Sequence, residues 1–338
     1  MSQDVIMTGH GGGGKLAREL LDDVIMPAVS NPVLDRRDDA AVLPSSDSRI
    51  AFTTDSYVID PLFFPGGNIG TLAACGTIND LAMQGAEPLY LSLSLILEEG
   101  LPLDTLRSVL ASFRKVMAEK EVMVATGDTK VVDRGGGGRG MYINTAGIGR
   151  LPEGVDVDVR NAQPGDAVIV TGPVGEHGIA VMAEREGLNF ETPIQSDVAP
   201  LSALVKDLLA HHPQIRSLRD PTRGGLATAL CDIAEGAGVG VVVNESAVPV
   251  SQAVRGACRL LGLDPMNAAN EGRAVIVCAQ GEAGEIVERI RSHPDGHEQA
   301  AVIGEITSEP AGKPIVRTEI GGERILPLPS GEELPRIC

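Results

Sequence analysis

Residues 67–99 read GNIGTLAACGTINDLAMQGAEPLYLSLSLILEE, and they set a helix directly before a strand. Small apolar residues run without proline from Ile69 to Gln84, which predicts a helix over Ile69–Gln84 that buries a small-residue face. Beyond it, Leu91, Leu93, Leu95 and Leu97 alternate with Ser92 and Ser94, the period of two that a half-buried strand requires. Upstream, Ala40–Leu43 and Ile50–Thr54 read as strands around a turn of Pro, Ser and Asp. Downstream come a helix over Asp104–Glu119, with Asp104 as N-cap, and the strands VMVATGDT (122–129) and MYINTAGIG (141–149). RGGGGRG (134–140) is the hairpin tip expected between those two strands. The order β-β-α-β-α-β-β describes an α+β sheet with helices on one face.

The segment RLPEGVDVDVRNAQPGD (150–166) is polar and turn-rich, and a domain boundary is expected there. After it the mixture repeats: a strand at Ala167–Val170, helices at 178–188 and Pro200–Ala210, and turn, helix and strand across 219–243. A buried strand AVIVCA (274–279), a helix at Gly284–Ser292 and a strand at Ala301–Ile306 follow. The expected organisation is a glycine-rich arm and helix (1–34, helix Lys15–Ile25), an N-terminal domain (35–152), a C-terminal α/β domain (160–322) and a tail (323–338). In that tail three prolines and a glycine within RILPLPSGEELPRIC make a regular element unexpected, so it reads as flexible and extended.

At 338 residues the chain is long enough for two cores, and its 43% hydrophobic content is that of a globular protein. Aromatics make up only 2%, so the cores must be built from Ala, Val, Leu and Ile. The net charge of −18 argues against a nucleic-acid surface, which needs clustered Lys and Arg; it makes hard cations such as Mg²⁺ candidate partners, or simply keeps the chain soluble. There is neither a basic, apolar leader at the N-terminus nor a long apolar run, so a cytoplasmic protein without a membrane segment is expected. The five cysteines form no CxxC pair; Cys75, Cys231, Cys258 and Cys278 sit among small or apolar residues, as inert core thiols do. Cys338, the last residue, has nothing beyond it to pack against.

Acidic residues recur where apolar elements meet turns: Asp38, Asp39, Asp55 in TTDS, Asp80 in GTIND, Asp128 in TGDTK and Asp220 in RDPTRGG. Capping or turn formation explains any one of them. Together they could hold Mg²⁺ against polyphosphate oxygens, since that ion takes few carboxylates and completes its shell with water and phosphate. His10 and Gly11–Gly14, followed by Lys15, could turn successive amides towards phosphates or form a simple arm; the run is not a P-loop. In DPTRGG, Arg223 and the amides of Gly224 and Gly225 could meet a phosphate, and a simple helix start explains the same residues equally well. Lys130 and Glu271 (in NEGR) are further candidates, although either alone could be a surface ion-pair member.

The ordered set GHGGGG, DDAAVL, TTDSYVIDPLFFPGGNIG, GTINDLAMQGAEPLYLS, TGDTKVV, RDPTRGG, NEGR and PRIC resembles the HypE family of hydrogenase maturation proteins, over essentially the whole chain. That family belongs to the ATP-binding superfamily of aminoimidazole ribonucleotide synthetase, selenophosphate synthetase and thiamin-monophosphate kinase. The resemblance implies two α/β domains, the first pairing with its copy to close a β-barrel across a homodimer. It implies a terminal cysteine, Cys338, that accepts a carbamoyl group from the carbamoyltransferase HypF. ATP then dehydrates the adduct to an enzyme thiocyanate, whose cyanide passes to iron on the HypC–HypD complex. It further assigns Asp38, Asp39, Asp55, Asp80 and Asp128 to Mg²⁺–ATP, with Thr129, Asp220, Arg223 and His10–Gly14 on the nucleotide. Glu271 is then the base acting on the carbamoyl nitrogen, and Lys130 orients that group or neutralises charge. The 12 residues from Pro327 to Cys338 reach roughly 40 Å when extended, enough to visit several sites, and Arg336 offsets the terminal carboxylate beside the thiol. Rival readings are another ATP enzyme of the superfamily, or a non-catalytic metal or cyanide carrier using Cys338 and the carboxylates.

Overall fold

The computed structural model describes residues 14–20, 22–23, 34–37, 39, 41–44, 49–133, 140–188 and 193–328. Helix α1 (Lys15–Leu20) is followed by β1 (Ala41–Pro44), β2 (Arg49–Tyr57) and a small hairpin of β3 (Phe63–Phe64) and β4 (Gly67–Asn68). Then come α2 (Ile69–Met83), β5 (Glu87–Glu98), α3 (Leu103–Glu119), β6 (Met123–Val132) and β7 (Met141–Leu151). The five longer strands form one sheet in the order β1-β2-β7-β5-β6. On β5, Leu91 and Leu95 are buried against α2 and α3 with Leu72, Ile78, Val109 and Phe113, and Leu93 and Leu97 pack at the margin of that core. This is the helix-covered face that the leucine alternation requires. The opposite face leaves Phe52, Tyr90, Ile96 and Ile148 exposed.

Two local expectations are corrected. Pro102, extended at φ −61° and ψ 134°, occupies the N-cap of α3; Asp104 lies inside the first turn and takes a hydrogen bond from Arg107 instead. The expected hairpin of β6 and β7 does not form either. β6 pairs in parallel with β5 through the α3 crossover, and β5 lies between it and β7, so β6 and β7 are not hairpin partners. Residues 134–139 themselves lie outside the described residues.

The C-terminal half contains β8 (Asp166–Val170), α4 (Glu176–Glu186), α5 (Ser202–His211), β9 (Ile215–Arg219), α6 (Gly225–Ala237), β10 (Gly240–Asn244), α7 (Gln252–Leu261), β11 (Val275–Ala279), α8 (Ala283–Ser292), β12 (Ala301–Thr307), β13 (Pro314–Arg317) and β14 (Glu323–Ile325). Its sheet runs β14-β13-β10-β12-β8-β11-β9. Alternate residues of β8 serve two cores: Val168 and Val170 pack with Leu226, Leu230 and Ile233 of α6, while Ala167 and Ile169 pack with Leu204, Leu208 and Ile286 of α5 and α8. Burial on both faces explains why these strands read as continuous apolar runs.

No element was assigned in sequence to β3, β4, β9, α7, β13 or β14; the strands among them are five residues or shorter. Glu323–Ile325, placed above in the tail, pairs with β13, and Leu326 beyond it is buried. The two halves share a core at α2, whose Ala82 and Met83 pack with Leu201, Leu204 and Leu208.

Candidate active site

The C-terminal end of α2 meets β2 on one side and the turns after β9 and before β11 on the other, and there the carboxylates converge. Thr53 on β2 sets its hydroxyl 2.8 Å from Asp80 Oδ2 and 3.1 Å from the Asp39 carbonyl oxygen. Burial, then the like charges of Asp220, Asp55 and Asp39, push the Asp80 carboxyl well above its ordinary range. Asp220 is pushed up to about 6, chiefly by burial, with Asp55 adding repulsion against the pull of Arg219 and Arg223. Glu271, only 3% exposed, is raised by burial and by Asp220, Asp197 and Asp55, with Arg223 opposing. Below them Tyr57, buried with its hydroxyl 3.1 Å from Thr77 Oγ1, is held neutral by burial and by Asp55 and Asp80.

A chain of ion pairs borders this cluster. Arg219 holds Asp39 Oδ1 at 2.7 Å and Asp232 Oδ2 at 2.6 Å, and the other Asp232 oxygen takes Arg18 of α1 at 2.6 Å. Gly14, the last residue of the glycine run, is buried immediately before α1, the helix whose Arg18 makes that ion pair. His10, Gly11, Gly12, Gly13, Asp38 and Cys338 lie outside the described residues.

The structure thus brings together Asp39, Asp55, Asp80, Asp220, Glu271 and Arg223, from both halves of the chain. It does not bring Asp128, Thr129 and Lys130 to them within one chain. Every residue of β6 is exposed; Asp128 pairs with Lys130, whose hydrogen bond holds its carboxyl below the usual range. In register Asp128 lies opposite Ser94, then Asn144, then Ser56, which puts it three strand spacings, about 14 Å, from β2. Asp128 and Lys130 fall on the face away from the helices, opposite Ser94 and Ile96, whereas Asp55 lies opposite the buried Thr145.

Sequence reasoning missed Thr53, Asn79, Asp197 and Arg219. Each adjoins or lies within a chosen motif except Asp197, whose loop carries no signal. Among the described residues no three acidic, His or Cys side chains close on a common point that could hold a metal ion. The described cysteines are buried, and burial raises their thiols: Cys258 to about 11, Cys231 and Cys278 to about 12, Cys75 further still. None of the four is a nucleophile at neutral pH. No helix among the described residues is long and apolar enough to cross a membrane.

A two-domain α/β chain with carboxylates gathered where the domains meet defines a class, and the family models agree. The N-terminal domain model of the AIR synthase related proteins matches residues 37–151, and the C-terminal domain model matches residues 163–317. Within that class the chain belongs to the HypE family. It is 47% identical over 331 residues to carbamoyl dehydratase HypE of Cupriavidus necator, covering 98% of this chain and 94% of that protein. A crystal structure of a HypE–HypF complex superposes with a TM-score of 0.87 at 42% identity, over 92% of this chain and 99% of that one. HypE in complex with ATP gives a TM-score of 0.83 at 43% identity, over 99% and 100% of the two chains.

Proposed function

We propose that the chain uses ATP to dehydrate an S-carbamoyl group on Cys338 to an enzyme thiocyanate, supplying cyanide for the iron of [NiFe] hydrogenase. The observation that carries this reading is the buried Glu271, made proton-avid by burial and by the charges of Asp220, Asp197 and Asp55, in a chain this similar to a carbamoyl dehydratase. Amide oxygen is a poor leaving group. Transfer of the ATP γ-phosphoryl to it turns it into phosphate; loss of that phosphate and of the two nitrogen protons leaves S–C≡N, ADP and phosphate. Glu271, once ionised, is a stronger base than an exposed carboxylate and takes a nitrogen proton. Lys130 orients the carbamoyl group or offsets its charge.

Asp55 and Asp80, with Asp38, Asp39 and Asp128 as further ligands, hold Mg²⁺ on the nucleotide, and Thr129, Asp220, Arg223 and His10–Gly14 complete the phosphate site. Bound Mg²⁺ neutralises charge on the transferring phosphoryl. The exposed edge strand β6, with Met123, Val124, Val131 and Val132 uncovered, supports a homodimer in which two such sheets close a barrel and carry Asp128 and Lys130 into the assembled site. HypF is the carbamoyl donor, the HypC–HypD complex is the cyanide acceptor, and the cytoplasm is the compartment.

The deciding experiment is the intact mass of the C-terminal peptide after S-carbamoylation, with and without Mg²⁺–ATP. Loss of one water only with Mg²⁺–ATP is expected, and none in Cys338→Ser. A carbamoyl adduct that survives in protein shown to bind ATP overturns the reading.

A further inference from the structure

We propose that Asn79 and Asp197 are positioning residues that clamp the Glu271 peptide from both sides and register its carboxylate to Asp80. The inference rests on Glu271 being the base. Asn79, 1% exposed, is the penultimate polar residue of α2, and Asp80 follows it directly. Its Nδ2 donates to the carbonyl oxygens of Ala199 at 3.0 Å and Glu271 at 3.2 Å, and its Oδ1 accepts from the Leu201 amide at 2.8 Å. One N-terminal side chain therefore uses both amide protons and its oxygen on two segments of the other domain.

The opposite side of the Glu271 peptide is held as firmly. Asp197 Oδ1 accepts from the Glu271 amide at 3.1 Å, and the Ala199 amide donates back to the Glu271 carbonyl at 3.3 Å. Asp197 has no exposed side-chain surface, and its Oδ2 lies 3.7 Å from Arg273 Nε. Arg273 is itself fixed, to Glu176 at 2.8 Å and to the Pro173 carbonyl at 3.0 Å. At Gly272 a Cβ would sit 1.9 Å from the Asp197 carbonyl oxygen, so only glycine lets the 197–199 strap approach this closely. With both peptide groups of Glu271 bonded, its carboxylate keeps only side-chain rotations. A reacting geometry of that kind loses about 100-fold in rate for 1 Å of displacement.

The test uses the full chain, S-carbamoylated by HypF, with single-turnover water loss and affinity for a non-hydrolysable ATP analogue read separately. Asn79→Ala is expected to slow dehydration about 30-fold while analogue affinity stays within about twofold. Asp197→Ala is expected to slow it about tenfold, and Asp197→Asn, which keeps the Oδ1 acceptor, to recover to within about threefold of the parent. A merely structural role predicts otherwise: affinity and rate falling together, or Asp197→Asn as slow as Asp197→Ala, overturns the clamp. Should Asn79→Ala not fold, the Asp197 pair decides alone. Glu271→Gln separates the two levels. Parental rate in Glu271→Gln removes the base, and the clamp with it. An inactive Glu271→Gln beside a parental Asn79→Ala removes the clamp and leaves the base.

Discussion

Asp220 shows what the site costs the fold. Its carboxyl, pushed up to about 6 in the native chain, binds protons more tightly there than in the unfolded chain, where about 3.9 applies. The native state therefore holds the extra proton between those values, and stability falls as pH rises through them. In chelator, Asp220→Asn is expected to raise the Tm at pH 7.5, by at most about 3 kcal/mol of stability since about two pKa units separate the native and unfolded states, and to change little at pH 3.5, where both side chains are largely neutral. Thermal unfolding at the two pH values checks this, and a gain at pH 3.5 alone reverses the sign. Because burial suppresses the four other thiols, iodoacetamide on the native protein at pH 7.5 is expected to label Cys338 alone. Peptide mapping reads this directly, and labelling of Cys258 or Cys231 would contradict the buried placement.

Among the elements, α2 matters most because it delivers Asn79 and Asp80. Its start is fixed by Asn68, whose Oδ1 accepts from the amides of Gly70 at 2.9 Å and Thr71 at 3.2 Å while Nδ2 donates to Ser112 of α3 at 2.7 Å. Asn68→Ala is expected to cost about 1–2 kcal/mol, measurable by urea denaturation at constant m-value. Gly70 permits the crossing of the two helices: a Cβ there would lie 2.2 Å from the Val109 carbonyl oxygen. Gly70→Ala is therefore expected to cost more than the cap does, by forcing α3 off the sheet and tilting the far end of α2. Equal losses in the two variants would show that α3 yields easily.

For the whole molecule, β6 is the exposed edge that the proposed homodimer would cover. An edge strand with ten exposed residues, four of them large and apolar, is an unprotected edge unless a second copy covers it. Val131→Lys is expected to halve the mass seen by light scattering, and to slow dehydration if Lys130 works across the seam. A variant that stays at parental mass would move the interface elsewhere. The junction between the halves is already filled inside one chain by Ala82 and Met83 against Leu204 and Leu208, so this monomerising change should leave the domains docked.

Much of this was legible in the residues themselves. The leucine alternation of 91–97 encodes a half-buried strand because side chains of a strand alternate faces, and the apolar run 274–279 encodes a strand buried twice. Asp55, Asp80, Asp220 and Glu271 were each visible as acids at the ends of elements, and the motif set marked the family. Partnership was not legible. Strand order is decided by the α3 crossover, which inserts β5 between β6 and β7, and nothing in a glycine loop reveals that. Nor could spacing show that Asp220 and Glu271 close on Asp55 and Asp80, that Asp128 stays on another face, or that Asn79 grips two distant carbonyls. Local periodicity specifies which face of an element is apolar; only the packing of those faces sets which polar ends meet, and there charge repulsion and desolvation create the chemistry.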